Sequence, residues 1–312
     1  MIELRAVTKR YDEKTVVDRL DVTVAAGRVT GFLGPNGSGK STTMRMIMGL
    51  DRPSAGAALV NGRRYADLRE PLRSVGALLD AGARHPARSA RAHLLAMARY
   101  NGIPARRVDE VLGLVGLSEI AGRRAGSLSL GMGQRLGIAA ALLGDPEVLL
   151  FDEPVNGLDT DGVRWVRQLM RSLAGEGRTV FVSSHLMSEM QLTADHLVVI
   201  GRGRLVADAP LRTLVAANSR SATRLRSPDA AGLAALRARM TADGYVTDQP
   251  DPGTLVVHSG DQHRIGDLAH AAGLRLHELS IREASLEEAY VDLTGHAVEY
   301  VAPVPAGQGD PR

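Results

Sequence analysis

The sequence predicts an α/β protein with a parallel sheet between helices, followed by a smaller α+β domain. Three observations support this fold class. A glycine-rich loop follows the apolar run 29–33 and leads directly into a helical pattern. Two more apolar runs, 147–151 and 179–183, have the composition of strands that are buried on both faces. Near residue 215 the spacing of the apolar residues changes, which indicates a second domain.

The elements of the first domain follow from this pattern in order. Residues 1–33 alternate in short strand-like segments, and a helical pattern runs from 41 to about 50 before a strand at 57–60. Residues 84–143 have helical periodicity with almost no strand signal, which predicts a helical subdomain inserted into the sheet domain. A helix at 160–174 separates the two later apolar runs, and this alternation favours a parallel sheet.

The second domain has a different order of elements. The segments that we predict are a strand at 222–227, a helix at 229–243, strands at 244–248 and 254–258, a helix at 262–273, a strand at 275–281 and a helix at 284–293. The βαββαβ order predicts a small ferredoxin-like domain. The predicted domains are therefore 1–215, with its helical subdomain at about 84–143, and 216–296, followed by a disordered tail at 297–312.

Composition excludes several classes of function. The 312 residues contain no cysteine, which excludes disulfides, thiolate zinc sites and cysteine nucleophiles. No window approaches the roughly 18 uninterrupted apolar residues of a membrane-spanning helix. The first residues lack the order of an export signal, so we expect a cytoplasmic protein. Net charge is +3 and the basic residues are scattered pairs, which argues against a nucleic-acid partner.

The glycine-rich loop matches the phosphate-binding pattern of glycine, four residues, glycine, lysine and a hydroxyl residue. Its glycines allow backbone N–H groups to point inward, and the following helix adds partial positive charge at its N-terminus. Lys40 is one of only three lysines, and its compact charge suits terminal phosphates, while Ser41 offers a hydroxyl to Mg²⁺. The candidate nucleotide-binding residues are Gly34, Pro35, Asn36, Gly37, Ser38, Gly39, Lys40, Ser41 and Thr42.

Two carboxylates follow the apolar run 147–151. Asp152 and Glu153 therefore stand at the C-terminal end of a predicted buried strand, the edge of an open α/β sheet where ligands bind. Asp152 is our candidate magnesium ligand, and Glu153 is our candidate base for an attacking water. Together with the phosphate loop, this pair predicts hydrolysis of a nucleoside triphosphate.

The order of these motifs resembles the ABC ATPase family, a branch of the P-loop NTPases. Residues 128–135 stand where that family has its signature, just before the carboxylate strand. The resemblance implies that Ser129 and Gly131 contact the nucleotide of a second copy in a head-to-tail dimer. Residues 156–159 resemble the loop that crosses this dimer interface, with Asp159 as its carboxylate.

The resemblance extends to two more residues. His185 follows a predicted strand and resembles the switch histidine that contacts the γ-phosphate, and Tyr11 resembles the aromatic that stacks on adenine. The family implies ATP and Mg²⁺ as ligands. It also implies an integral-membrane permease as the partner, so that the chain would be peripheral on the inner face of the cell membrane.

Three positions depart from the usual family pattern. Leu130 and Met132 replace a glycine and a glutamine of the signature, and Asp80 stands where most members carry a magnesium-linked glutamine. The same departures are familiar in the drug-resistance branch of the family. This resemblance favours export of a drug-like or lipid substrate over import. Residues 284–290 weakly resemble the C-terminal extension of bacterial exporters.

Two other interpretations stay open at this level. One is an ABC ATPase that acts on ribosomes or DNA, although such members usually carry two ATPase units or a long coiled coil. The other is a regulatory nucleotide-binding module that hydrolyses little, which the three departures from the family pattern make worth testing.

Overall fold

The computed structural model describes residues 1–218, 222–259, 261–282 and 285–294. The chain divides into two compact units, one containing Met1–Leu211 and the other Arg212–Asp292. The division lies four residues before the domain boundary predicted from sequence. The tail predicted at 297–312 lies outside the described residues. Among the described residues, no helix combines the length and hydropathy needed to cross a membrane.

The first unit alternates strands and helices. Its strands are β1 (Ile2–Tyr11), β2 (Lys14–Val24), β3 (Arg28–Leu33), β4 (Ala55–Val60), β5 (Val75–Leu78), β6 (Val148–Asp152), β7 (Thr179–Ser183), β8 (His196–Gly201) and β9 (Arg204–Pro210). Its helices are α1 (Lys40–Ile47), α2 (Pro71–Ser74), α3 (Ala90–Tyr100), α4 (Arg106–Leu114), α5 (Leu130–Leu142), α6 (Thr160–Gly175) and α7 (Met187–Thr193), and α8 (Leu211–Asn218) follows β9.

The strands of the first unit form two sheets. A six-stranded sheet has the order β5-β6-β7-β3-β8-β9, and a three-stranded sheet has the order β2-β1-β4. The first five strands of the larger sheet are parallel, as predicted, whereas β9 pairs antiparallel with β8 at the edge. The two sheets enclose one apolar core that includes Phe32 and Phe181, whose ring centroids are 4.9 Å apart.

Helices α3, α4 and α5 lie within residues 84–143, where no strand is assigned, and their assignment as a subdomain stays a prediction. Helix α3 begins after Ser89, whose hydroxyl accepts a hydrogen bond from the Ala92 N–H at 3.1 Å. Helix α5 packs closely on β5. A Cβ at Gly76 would overlap the carbonyl oxygen of Ala141, so only glycine permits this approach.

The second unit has the predicted βαββαβ order. Its elements are β10 (Ala222–Arg226), α9 (Ala230–Ala242), β11 (Thr247–Asp251), β12 (Thr254–Val257), α10 (Gln262–Ala271), β13 (Glu278–Arg282) and α11 (Leu286–Thr294). The sheet order is β11-β12-β10-β13, with every pair antiparallel. The ferredoxin-like assignment stays a prediction.

Two strands of this unit begin three residues later than predicted. The strand predicted at 244–248 occupies 247–251, because Gly244 turns the chain with a φ of +88° after α9 ends at Ala242. Similarly, the strand predicted at 275–281 begins at Glu278, since Leu274 packs with the helices in the apolar core. Apolar residues beside a turn therefore mimic the start of a strand.

Candidate functional site

The phosphate loop joins strand β3 to helix α1, as predicted. Gly37 and Gly39 have φ angles of +80° and +102°, a region that side chains other than glycine rarely adopt. A Cβ at Gly39 would also lie 2.8 Å from the carbonyl oxygen of Val16. These glycines curl the loop back over the N-terminus of α1, where N–H groups and the helix dipole favour an anion.

The loop and the two carboxylates line one pocket of 260 Å³. Residues 36–42 contribute one side of this pocket, and Asp152 and Glu153 contribute the other. The hydroxyl of Ser38 is buried and has no hydrogen-bond partner among the described residues. A small polar pocket with an unused buried hydroxyl fits the oxygen atoms of a phosphate chain.

Lys40 points into the centre of the loop. Its Nζ donates to the carbonyl oxygens of Gly34 and Pro35 at 2.6 and 3.3 Å, and only 9% of the residue is exposed. Burial lowers the pKa of Lys40, and the charges of Glu153 and Asp152 partly oppose this shift. A buried ammonium that bonds only to carbonyl oxygens fits an anionic ligand, which would supply the missing negative charge.

Asp152 and Ser183 lie at the C-terminal ends of the neighbouring parallel strands β6 and β7, and Glu153 directly follows Asp152. Asp152 ends β6, and its register partner on β7 is Ser183. The Ser183 hydroxyl donates to Asp152 Oδ1 and accepts from the Glu153 N–H at 3.1 Å. Sequence reasoning did not assign a role to Ser183. The sequence nevertheless contains a signal for its role, because two predicted buried strands end in the polar residues Asp152 and Ser183, and parallel pairing places such strand ends side by side.

Glu153 has an unusual backbone conformation with a φ of +50°. Its carboxylate Oε2 lies 2.8 Å from Nδ1 of His185, so the structure brings together the predicted base and the predicted switch histidine. Its carbonyl oxygen accepts a hydrogen bond of 2.8 Å from Nε2 of Gln134 on α5. Gln134 was also missed from sequence, because nothing local relates a helix residue to a strand end 19 positions later.

The donor set of the pocket is suited to Mg²⁺. Ser41 and Asp152 supply a hydroxyl and a carboxylate beside the loop. Within the described part of the chain, no group of three or more His, Cys, Asp or Glu residues could enclose a metal ion. Mg²⁺ is usually bound by one or two carboxylates together with water and substrate phosphates, so one carboxylate and one hydroxyl beside the phosphate loop fit this ion.

Asp80, the third predicted magnesium ligand, does not line this pocket. It is exposed, its Oδ1 accepts from the Gly82 N–H at 2.7 Å, and it lines a neighbouring groove beside α3 and α5. The turn after β5 therefore directs this carboxylate toward its own backbone. A role for Asp80 in metal binding stays a prediction.

The remaining predicted residues lie at other surfaces of the first unit. Ser129 and Asp159 cap the N-termini of α5 and α6, where they accept from the N–H groups three residues later at 3.2 and 2.9 Å. A Cβ at Gly131 would lie 2.9 Å from the carbonyl oxygen of Gly157, so the two loops are in contact. None of these residues lines the pocket, and their contacts with a second copy stay predictions.

Tyr11 lies at the end of β1 and is 45% exposed. Its hydroxyl donates to Asp51 at 3.2 Å, and Nζ of Lys9 is 4.7 Å from the centre of its ring. The ring does not line the 260 Å³ pocket, whose lining consists of Val16, residues 36–42, Asp152 and Glu153. Stacking of Tyr11 on adenine stays a prediction.

Comparison with known proteins gives a family-model match in each unit. A family model described as ABC transporter matches residues 17–156, and a model described as a domain of unknown function, DUF8746, matches residues 221–287. The bacitracin transport ATP-binding protein of Bacillus licheniformis is 35% identical over 95% of this chain and 97% of its own length. The Nod factor export ATP-binding protein I of Burkholderia lata is 33% identical over 96% of this chain and 98% of its own length.

Solved structures show the same similarity for the first unit. The ATP-binding subunit of an ABC transporter matches with a TM-score of 0.64 and 26% identity, over 70% of this chain and 92% of that subunit. A dimeric ATP-binding cassette in a post-hydrolysis state, bound to ADP and Pi, matches with a TM-score of 0.62 and 25% identity, over 68% of this chain and 99% of the cassette. The chain therefore belongs to the family of ABC transporter ATP-binding proteins.

Proposed function

We propose that the chain hydrolyses ATP in the pocket between the phosphate loop and the β6 strand end, and thereby powers export through a separate membrane subunit. One observation carries the proposal. Lys40, Asp152 and Glu153 line one small polar pocket, so groups able to bind phosphate, metal and water are brought together.

Each group in the pocket has a chemical task in this proposal. The loop N–H groups and Lys40 bind the phosphates, and Ser41 with Asp152 holds Mg²⁺. The metal would neutralise charge on the phosphate oxygens. Glu153 accepts a proton from the water that attacks the terminal phosphorus, while the bond from that phosphorus to the bridging oxygen breaks and ADP leaves. His185, whose Nδ1 is 2.8 Å from Oε2 of Glu153, orients this carboxylate. The Ser183 hydroxyl fixes the relative positions of Asp152 and Glu153.

A second copy of the chain completes the site in this proposal. Ser129 and Gly131 lie at the N-terminus of α5, outside the pocket of their own chain, where the helix dipole favours a phosphate presented by another molecule. Asp159 follows the contact between the two loops and would lie at the same interface. A head-to-tail dimer would bind two ATP molecules, with Tyr11 stacked on each adenine.

The groove that contains Asp80 supports docking of a membrane permease. It has a volume of 390 Å³ and lies between the sheet and helices α3 and α5 of the helical subdomain. His93 lines it, and burial together with Arg88, His85 and Arg84 lowers the pKa of His93. A partner helix in this groove would contact both the sheet and the signature helix. The chain would then be peripheral on the inner face of the cell membrane.

The direction of transport is inferred from relatives. One relative is named for bacitracin transport and another for Nod factor export, and each is matched along nearly its whole length. A drug-like or lipid molecule that leaves the cell is the substrate class that these names support.

An ATPase assay with Glu153→Gln tests the proposal. The amide keeps the size of the side chain and one acceptor oxygen but is a far weaker base, so kcat should fall by about 10² to 10⁴-fold while ATP affinity stays within about threefold. Glu119→Gln, at an exposed position of the helical subdomain, is the matched control. A variant at residue 153 with normal turnover would contradict the proposed base. A wild-type chain that binds ATP without hydrolysing it would indicate a regulatory module instead.

A further inference from the structure

Helix α5 makes three contacts with the catalytic strand end and the segments that follow it. Gln134 donates from Nε2 to the carbonyl oxygen of Glu153 at 2.8 Å. Leu130, one turn earlier, packs on Gly157, where an added Cβ would overlap its side chain. Arg135 lies over the ring of Trp165 on α6, with Cζ 4.6 Å from the ring centre. The helix that begins at Ser129 therefore touches residue 153, the following loop and α6.

Gln134 is the central contact of this set. It is only 4% exposed, although a glutamine on a helix usually faces solvent. Its amide donates to the backbone carbonyl oxygen of Glu153. Glu153 has a positive φ, and its carboxylate lines the proposed ATP pocket. A residue held in that conformation needs surrounding contacts to keep it there, and Gln134 provides one of them.

The N-terminus of α5 and the carboxylate of Glu153 serve different sites in the proposed dimer. Ser129 would face the nucleotide of the second copy, whereas Glu153 faces the nucleotide in its own chain. Since Gln134 lies one turn after Ser129 on the same helix, a displacement of α5 by the partner's nucleotide would move the backbone of Glu153.

We propose that Gln134 is a positioning residue that couples the signature end of α5 to the catalytic carboxylate of the same chain. This proposal rests on the proposed ATPase function. Contact with the partner's nucleotide sets the position of α5, and the Gln134 amide transmits that position to Glu153. Hydrolysis at one site thereby depends on occupancy of the other.

The first test separates catalysis from binding in the full-length chain. Gln134→Met removes the amide donor at similar length, so kcat should fall by about 10- to 100-fold through misplacement of Glu153, while KM for ATP stays within about threefold. Gln168→Met, at an exposed position of α6, is the matched control and should behave like wild type. Gln134→Glu is a second variant without the donor and should show the same loss if the methionine variant does not fold.

The second test uses Trp165, the single tryptophan of the chain. Binding of a non-hydrolysable ATP analogue should shift the emission of Trp165 in wild type, because α5 and its Arg135 move over the ring. In Gln134→Met the analogue should still bind, as measured by calorimetry, and the emission shift should persist while kcat falls, because the movement of α5 precedes the step that Gln134 transmits. Normal kcat in both Gln134 variants, or a wild-type chain whose emission does not respond to the analogue, would overturn the coupling. A wild-type chain without ATPase activity would instead contradict the proposed function of the pocket.

Discussion

Replacement of Ser183 by alanine gives a direct test of how the two carboxylates are held. The Ser183 hydroxyl is fully buried, donates to Asp152 Oδ1 and accepts from the Glu153 N–H at 3.1 Å. Alanine removes only the oxygen atom, so packing around the strand end is retained. The variant therefore isolates the two hydrogen bonds from any change in volume.

The expected loss of stability in Ser183→Ala follows from the two hydrogen bonds that the hydroxyl makes. A hydrogen bond to a charged group contributes about 1.5–3 kcal/mol when it is buried. Asp152 is only half-buried, so water can replace part of the lost interaction, and we expect a loss of about 1–2 kcal/mol in the free energy of unfolding. For a unit of roughly 200 residues this corresponds to a decrease in Tm of about 2–8 °C. Because Glu153 also loses a backbone contact, kcat should fall by about tenfold.

Thermal unfolding and steady-state ATPase activity measure the two effects separately. Ser172→Ala, at an exposed position of α6, is the matched control and should change neither quantity. If Ser183→Ala unfolds at the wild-type temperature and retains the wild-type kcat, the Ser183 hydroxyl does not position the carboxylates, and the described hydrogen-bond geometry does not govern the site.

Two further predictions concern charge and packing. Burial lowers the pKa of Lys40, so ATP affinity should fall as the pH rises through that lowered pKa and the ammonium loses its charge. Without nucleotide, the free energy of unfolding should rise with pH between the lowered pKa of the folded chain and the value of about 10.4 in the unfolded chain, because the unfolded chain keeps its proton longer. Calorimetry across this range checks the affinity, and Lys40→Met should show no such dependence. Gly76→Ala should lower the free energy of unfolding, measured in urea, by about 1–3 kcal/mol, because the added Cβ overlaps the carbonyl oxygen of Ala141. Gly175→Ala, with open space around its Cβ, should not destabilise.

The fold was predictable where local patterns and burial agree. The apolar run at 179–183 coincides with β7, and the helical pattern at 160–174 corresponds to α6. The antiparallel edge strand β9 could not be predicted, because its pairing with β8 depends on the order of the strands in the folded sheet, which the local sequence does not contain. The late start of β11 was missed because Gly244 turns the chain after α9 and Tyr245 packs against the apolar core of the second unit, so that the residues directly after the helix do not yet pair.

The site was predictable to the extent that its chemistry lies in contiguous motifs. The phosphate loop and the pair Asp152 and Glu153 could be located because each motif stands next to a strand whose position the apolar runs reveal. Ser183 and Gln134 could not, because they contact the carboxylate pair only after parallel strand pairing and helix packing bring distant residues together. The contacts of Tyr11 with Asp51 likewise depend on tertiary structure.

The cap of α5 does not depend on the side chains that depart from the usual signature. Ser129 caps α5 through the N–H of Met132, a contact that any residue other than proline at position 132 can make. Leu130 is 61% exposed, yet one side of it packs on Gly157, where glycine leaves the necessary space. The leucine that departs from the family pattern is therefore matched by a glycine in the adjacent loop. Because the Ser129 cap and the Gln134 contact use groups that these departures do not alter, the structure provides no reason to expect a loss of hydrolysis from Leu130 or Met132.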